Sequence, residues 1–185
     1  MTPLIETDRL HLFEVSRADT KDLQSYYVQN AAHLDPWEPK RSPDFHMLSA
    51  WERRVTIFML EAGEGRAVRF VLRHKTRSDL IGVCNFTNLV RGPFQACTLG
   101  YSIDKDAQGQ GLMVEALTAA IAHMFNAKKL HRIMANYVPE NARSGALLAR
   151  LGFEIEGRAK DYLQINGAWK DHVLTAKLNP NYEDA

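Results

Sequence analysis

Gln108-Gly109-Gln110-Gly111 sets two glycines and two neutral amides directly ahead of an apolar helix pattern, a combination able to bind an anion. With no charged side chain in the way, consecutive backbone N–H groups can converge on a phosphate at the positive end of the helix dipole. Two glycines alone also make an ordinary tight surface loop, so the surrounding residues must decide. A P-loop needs Gly-Lys followed by Ser or Thr, and Gln110-Gly111-Leu112 supplies neither. A dinucleotide fingerprint needs a third glycine and, about 20 residues on, an acidic ribose acceptor. Val114 and the run Lys128-Lys129-Leu130-His131-Arg132 stand in those places.

The elements that must position this turn are legible from periodicity. Leu112, Met113, Ala116, Leu117, Ala120, Ile121, Met124 and Phe125 form one stripe of a helix. Leu10, Leu12 and Val15 suggest an opening strand, followed by a helix capped at Asp19 or Thr20 and running to about Asn30. Pro36, Pro39 and Pro43 break the segment from Ala31 to Pro43. Ser42-Pro43-Asp44 reads as the start of a second helix that reaches Glu61 and stops at Gly63 and Gly65. Val68 to Arg73 and Leu80 to Asn88 alternate as hairpin strands. A strand at about His131 to Val138 precedes a helix capped by Asn141 and stopped by Gly152, and Asn166-Gly167 joins two last strands. The expected class is α+β, with a mixed, mostly antiparallel sheet flanked by helices, in a single domain over residues 1–185.

Composition narrows the surroundings. At 45% hydrophobic and 24% charged, the chain has ordinary globular balance, and a net charge of +1 makes no demand for nucleic acid. Direct DNA contact and membrane association are not expected, and neither span nor signal peptide is evident, so a cytoplasmic location is expected. Cys84 and Cys97 lack CxxC spacing and read as small core residues. No spacing suggests a metal site.

The six residues Gln108 to Met113 resemble the acyl-coenzyme A turn of the Gcn5-related N-acetyltransferases (GNAT): Gln or Arg, two residues, Gly, one residue, Gly or Ala. The departure is Met113, where the family has a small residue. Asn141-Ala142-Arg143-Ser144 with Leu147 to Phe153 resembles the family's second signature, whose helix lies beside the pantetheine arm. Pro36-Trp37-Glu38-Pro39, Gly100 to Ile103, His131 to Tyr137, Lys160-Asp161-Tyr162-Leu163 and Trp169 to Val173 resemble, more narrowly, the RimJ type of ribosomal-protein-alanine N-acetyltransferase. The likeness spans about Thr7 to Ala176. It implies acetyl-coenzyme A (acetyl-CoA) as donor and, as acceptor, the α-amine of an N-terminal alanine in a small-subunit ribosomal protein, with a small-subunit precursor as a further partner.

The resemblance also implies roles. Backbone amides around Ser102 and Ile103 would receive the thioester oxygen, and Gln108, Gly109, Gln110, Gly111, Leu112 and Met113 would hold the coenzyme phosphates. Asn141 would bond the pantetheine amides, and Ser144 would donate its hydroxyl to the departing thiolate; a helix-start serine bonded to backbone is the other reading. In the related RimL type a carboxylate follows the Leu-Gly-Phe element, where an ungapped register places Leu163; Asp161 shares its face and is the substitute base, or else an exposed strand-end aspartate. Asp35, Trp37 and Glu38 would roof the acceptor groove, with simple loop packing the other reading of Trp37, and Asn85 and Asn88 either bond the acceptor backbone or are surface asparagines. Glu115 is expected to support the turn, and His131 and His172 to be structural. Another primary amine, such as a different N-terminus, a polyamine or an antibiotic, and a ribosome-assembly role that binds RNA or protein remain alternatives.

Overall fold

Eight strands form a single sheet among residues 2–77 and 79–183, which the computed structural model describes. They are β1 (Ile5–Glu6), β2 (Leu10–Glu14), β3 (Val68–His74), β4 (Leu80–Val90), β5 (Ala96–Ile103), β6 (Arg132–Met134), β7 (Glu154–Ile165) and β8 (Ala168–Leu178). Their spatial order is β1-β2-β3-β4-β5-β6-β8-β7. Every neighbouring pair is antiparallel except β5 and β6, which run parallel. A parallel pair needs a long crossover, and helix α4 (Leu112–Asn126) provides it.

Strand alternation divides the core between two faces. On one, Val71 and Val83 pack with Leu23 of α1 (Thr20–Gln29) and with Trp51 and Val55 of α3 (Leu48–Gly63). On the other, Phe70, Cys84, Phe86, Cys97 and Leu99 pack with the whole predicted stripe of α4 and with Leu148 of α5 (Ala142–Arg150). Met113 is buried in this cluster, so the larger residue is accommodated by the core beneath the helix.

Three boundaries depart from the sequence expectations. The second long helix starts at Leu48, not at Ser42. Phe45 N–H donates to Ser42 O and Met47 N–H to Asp44 O, each at 2.9 Å, so residues 42–47 form consecutive turns that drop Phe45 into the core. The proline-broken segment contains the short helix α2 (Ala31–Leu34) and a 3-10 turn, Asp35–Trp37. The strand expected over His131 to Val138 pairs with β5 only through Arg132, Ile133 and Met134. Beyond them Ala135 N–H turns to Thr175 O (3.0 Å) and Tyr137 N–H to Val173 O (3.1 Å). Past Thr98 and Met134, therefore, β5 and β6 part, and a notch opens through the sheet.

Candidate active site

A cleft of about 970 Å³ occupies this notch. The turn at one end is built by its glycines: Gly109 and Gly111 have φ of +73° and +74°, the left-handed region that costs a side-chain-bearing residue roughly 1–2 kcal/mol. Gly111 is the N-cap of α4, and the first amides of a helix have no intrahelical acceptor. Those amides lie at the cleft, where the sequence leads one to expect an anion cradle.

Its supports come from distant parts of the chain. Glu115 accepts from Thr7 Oγ1 (2.6 Å), Arg9 N–H (2.8 Å) and Arg9 Nε (2.7 Å), while Arg9 Nη1 donates to Gln110 O (2.9 Å). Burial pushes the Glu115 carboxyl up, but the bonds from Thr7 and Arg9 outweigh it and hold the group below its ordinary value. Glu115 is thus a brace for the turn. Buried Asn30 fixes the approach, donating to Asp104 Oδ2 and accepting from Lys105 N–H.

The Gln108 side chain closes the cradle. Arg143 has only donors to offer, so the oxygen of the Gln108 amide faces it, and the amide nitrogen then donates to His33 Nε2 at 2.8 Å. His33 consequently carries its proton on Nδ1 in this arrangement. Arg143 and Arg150, one face of α5, also line the cleft and place positive charge where phosphates would sit. Gln110 points away and donates to Asp106 O (3.0 Å), leaving its backbone as its contribution.

Helix α5 forms the next wall. Asn141 caps it, its Oδ1 accepting from Ser144 N–H (3.1 Å), which leaves the amide NH2 for a ligand. Gly152, at φ +78°, ends the helix: Phe153 N–H bonds Leu148 O and Gly152 N–H bonds Ala149 O, both at 3.0 Å. Ser144 Oγ lies 2.7 Å from Tyr101 Oη. Burial raises the Tyr101 phenol to about 12 against the lowering effect of that bond, so it is a neutral hydroxyl through the physiological range.

The opposite wall is β5. Asp104 N–H donates to Ile81 O (2.8 Å), and the register against β4 is unbroken from there to Thr98. Antiparallel alternation then directs the amides of Gly100 and Ser102 at β4 and those of Tyr101 and Ile103 into the notch, while the Leu99 amide closes the last pairing with β6. This corrects the expectation for Ser102. It faces the cleft by its side chain, whose Oγ lies 2.9 Å from Tyr26 Oη. Ile103 and Tyr101 supply the free amides.

On the α1–α3 face, Trp37, Glu38, Tyr27 and Asn85 line the cleft as a roof and wall. Glu38 is ion-paired with Arg41, and its carbonyl accepts from Asn166 N–H (2.9 Å), which ties the roof to the β7–β8 hairpin. Asp35 is exposed and lies outside the lining.

Asp161 is outside it as well. Between the pairs Ala159↔His172 and Leu163↔Lys170 the strand β7 carries two extra residues, and Asp161 takes φ +47° there. The alternation that would have put it on the face of Leu163 is broken by this bulge. Its amide bonds the Asp171 carboxylate at 3.1 Å. Among the described residues no group of three or more His, Cys, Asp or Glu is arranged to hold a metal.

A turn for phosphates, a wall of free amides and a hydroxyl pair around one notch are the parts of an acyl-CoA site. The sequence of residues 9–154 matches the acetyltransferase (GNAT) domain. The chain belongs to the GNAT acetyltransferase family. Across 178 residues this GNAT chain is 51% identical to the [ribosomal protein uS5]-alanine N-acetyltransferase of Escherichia coli, covering 96% of this chain and 92% of that protein. Its fold superposes on the ribosomal-protein-S5-alanine acetyltransferase of Vibrio fischeri with a TM-score of 0.93 at 40% identity, covering 97% and 98% of the two chains. It superposes on Mycobacterium smegmatis RimJ in complex with CoA-disulfide with a TM-score of 0.88 at 31% identity, over 95% of this chain and 85% of that one. No helix among the described residues is long and apolar enough to cross a membrane.

Sequence reasoning missed Tyr101, Tyr137, His33 and Arg143, which line the cleft, as does His172, which it expected to be structural. Arg143 and Tyr101 stood inside the recognised motifs. His33 carried no signal, because its role depends on a tertiary contact with Gln108.

Proposed function

We propose that the protein transfers acetyl from acetyl-CoA to the α-amine of an N-terminal alanine in a ribosomal protein, by direct attack on the thioester. The observation that carries this reading is the notch between β5 and β6, because it joins a phosphate-binding turn on one sheet face to a roofed groove on the other. The near full-length similarity to the E. coli enzyme supports the choice of acceptor.

In this reading the amides of Gly109 to Val114 and Arg143 hold the phosphates, and the amide NH2 of Asn141 bonds the pantetheine arm. The N–H groups of Tyr101 and Ile103 receive the oxyanion that forms as the amine adds to the carbonyl. Ser144 donates its hydroxyl proton to the sulfur as the C–S bond breaks, and Tyr101 returns one to Ser144. An α-amine suits such a site. Its reference pKa is about 7.7–8, against about 10.4 for lysine, so a useful fraction is uncharged near neutrality.

The protein is read as acting in the cytoplasm, with a small-subunit protein or its precursor particle as partner. The test is to offer acetyl-CoA with purified ribosomal protein uS5 whose alanine terminus is either free or chemically blocked. Acetylation of the free terminus alone supports the proposal; equal modification of both preparations overturns it.

A further inference from the structure

The groove needs a proton acceptor, and the carboxylates near it do not provide one. Asp161 is turned outward by the β7 bulge, Asp35 is outside the lining, and Glu38 is held by Arg41. Glu140 lines the cleft but immediately precedes the cap of α5, on the other face of the sheet.

One buried imidazole is on the acceptor side. Tyr137 and Val173 exchange both backbone hydrogen bonds, at 3.1 and 2.8 Å, so their side chains share a face. That face is the one covered by α5, because the Tyr137 ring lies 2.9 Å from where a Cβ on Gly145 would stand. The adjacent His172 and Asn136 therefore face the opposite way, toward the groove bounded by Asn85, Gly100 and Ser102. His172 is 3% exposed and lines the cleft.

Its neighbours fix the orientation of the ring and, in its neutral form, the tautomer. Nδ1 lies 3.0 Å from Lys170 O, and a carbonyl can only accept, so Nδ1 carries the hydrogen. In the neutral ring Nε2 then bears the lone pair, and among the described residues nothing hydrogen-bonds it. The Tyr162 ring stands 5.3 Å from the imidazole and is anchored by a bond from Asn136 Nδ2 to its hydroxyl at 3.1 Å. A buried imidazole with one nitrogen bonded to backbone and the other left open is oriented as a general base.

We propose that His172 Nε2 accepts the proton of the attacking α-amine. This rests on the acetyl-transfer reading above. As the amine lone pair forms the C–N bond to the thioester carbon, the amine proton passes to Nε2; the C–S electron pair leaves on sulfur, which takes its proton from Ser144, and the imidazolium releases its own to solvent. The groove demands this of His172, which thereby touches the reacting nitrogen. It is a catalytic residue.

The discriminating variant is His172→Asn, whose side-chain NH2 can replace Nδ1 as donor to Lys170 O while nothing replaces Nε2. The titratable groups facing His172 are Tyr162 from β7, with Glu38 of the roof and Tyr27 of α1 across the groove; an imidazole alone among these side-chain types changes charge between about pH 5 and 8. His33, at the turn, is the other imidazole in the cleft, and His33→Gln serves as the comparison. For His172→Asn, kcat/KM on an Ala-initiated peptide is expected to fall about 100-fold or more at pH 7. In kcat/KM the α-amine and the imidazole must both be neutral, so the parent's acid limb should approach a slope of two; His172→Asn should retain only the slope of one that the α-amine imposes, with the acetyl-CoA dissociation constant within threefold, whereas His33→Gln should keep the steeper limb although it loosens acetyl-CoA. A rate within threefold of the parent, with the slope unchanged, overturns the proposal. The tautomer of His172, read in the unmodified protein by long-range nitrogen NMR, needs no acceptor. If no Ala-initiated peptide is acetylated, the acceptor reading fails separately, and a proton on Nε2 in the neutral ring still overturns the role of His172.

Discussion

The hydroxyls of Tyr101 and Ser144 lie 2.7 Å apart, one from the free edge of β5 and one from the first turn of α5. This bond spans the notch at the point where the two strands have separated. It couples a phenol raised to about 12 by burial to the serine assigned to the leaving thiolate. Ser144→Ala is expected to lower kcat about tenfold to a hundredfold, since a thiolate with a pKa near 8.5 leaves tolerably unaided. Tyr101→Phe should cost less, because solvent can reprotonate the serine. In both, the KM for acetyl-CoA should remain within threefold, measured by steady-state kinetics with continuous thiol detection.

Gln108 ties Arg143 to His33 across the turn, so loss of any member should loosen the phosphate site without touching the chemistry. Arg143→Ala is expected to raise the acetyl-CoA dissociation constant about tenfold, measured by calorimetry, with kcat at saturation changed less than threefold. Gly111→Ala places a Cβ at φ +74° and should cost roughly 1–2 kcal/mol of stability together with affinity.

Gly145 is the position on α5 where the chain leaves room for an aromatic ring. A Cβ there would stand 2.9 Å from three atoms of Tyr137, both of them cleft residues or their direct neighbours. Gly to Ala in a helix ordinarily gains about 1 kcal/mol. Here the gain is offset by displacement of the ring, so the melting temperature should move little while the acetyl-CoA KM rises severalfold. Replacing Tyr137 by Leu in the same chain should restore much of the affinity.

Glu115 gives a pH-dependent signature. Its carboxyl is held below the ordinary value in the folded protein by Thr7 and Arg9, against the opposing effect of burial. A group lowered in this way contributes stability that is full above the unfolded value, near about 4.3, and is lost as pH falls through the folded value. Glu115→Gln should therefore lower the melting temperature at pH 7 by several degrees. The gap from the parent should narrow as the pH is lowered below the unfolded value, as thermal unfolding followed by circular dichroism would reveal.

Much of this architecture was legible because it rests on local patterns. The α4 stripe, the N-cap of Asn141 and the Gly152 stop depend on periodicity and on left-handed backbone, both written in residue type. The start of α3 was misread because Ser42-Pro43-Asp44 has the chemistry of a cap, whereas the structure spends those residues on turns that bury Phe45. Asp161 was misplaced for a different reason: a bulge of two residues is invisible to a strict alternation of two. The place of His172 in the cleft was not legible because it follows from which face of β8 meets the notch, and that depends on Tyr137 crossing from β6 to pair with Val173. Such long-range registers leave no trace in spacing.

The central claim is tested most directly by incubating the purified protein with acetyl-CoA and a set of peptides beginning with Ala, Ser or Met, or carrying a blocked terminus and internal lysines. Mass spectrometry then locates each acetyl group. Acetylation confined to the α-amine, fastest on Ala-initiated peptides, is the expected result. Transfer to internal lysines of the blocked peptides, or coenzyme binding with no transfer to any terminus, would contradict it.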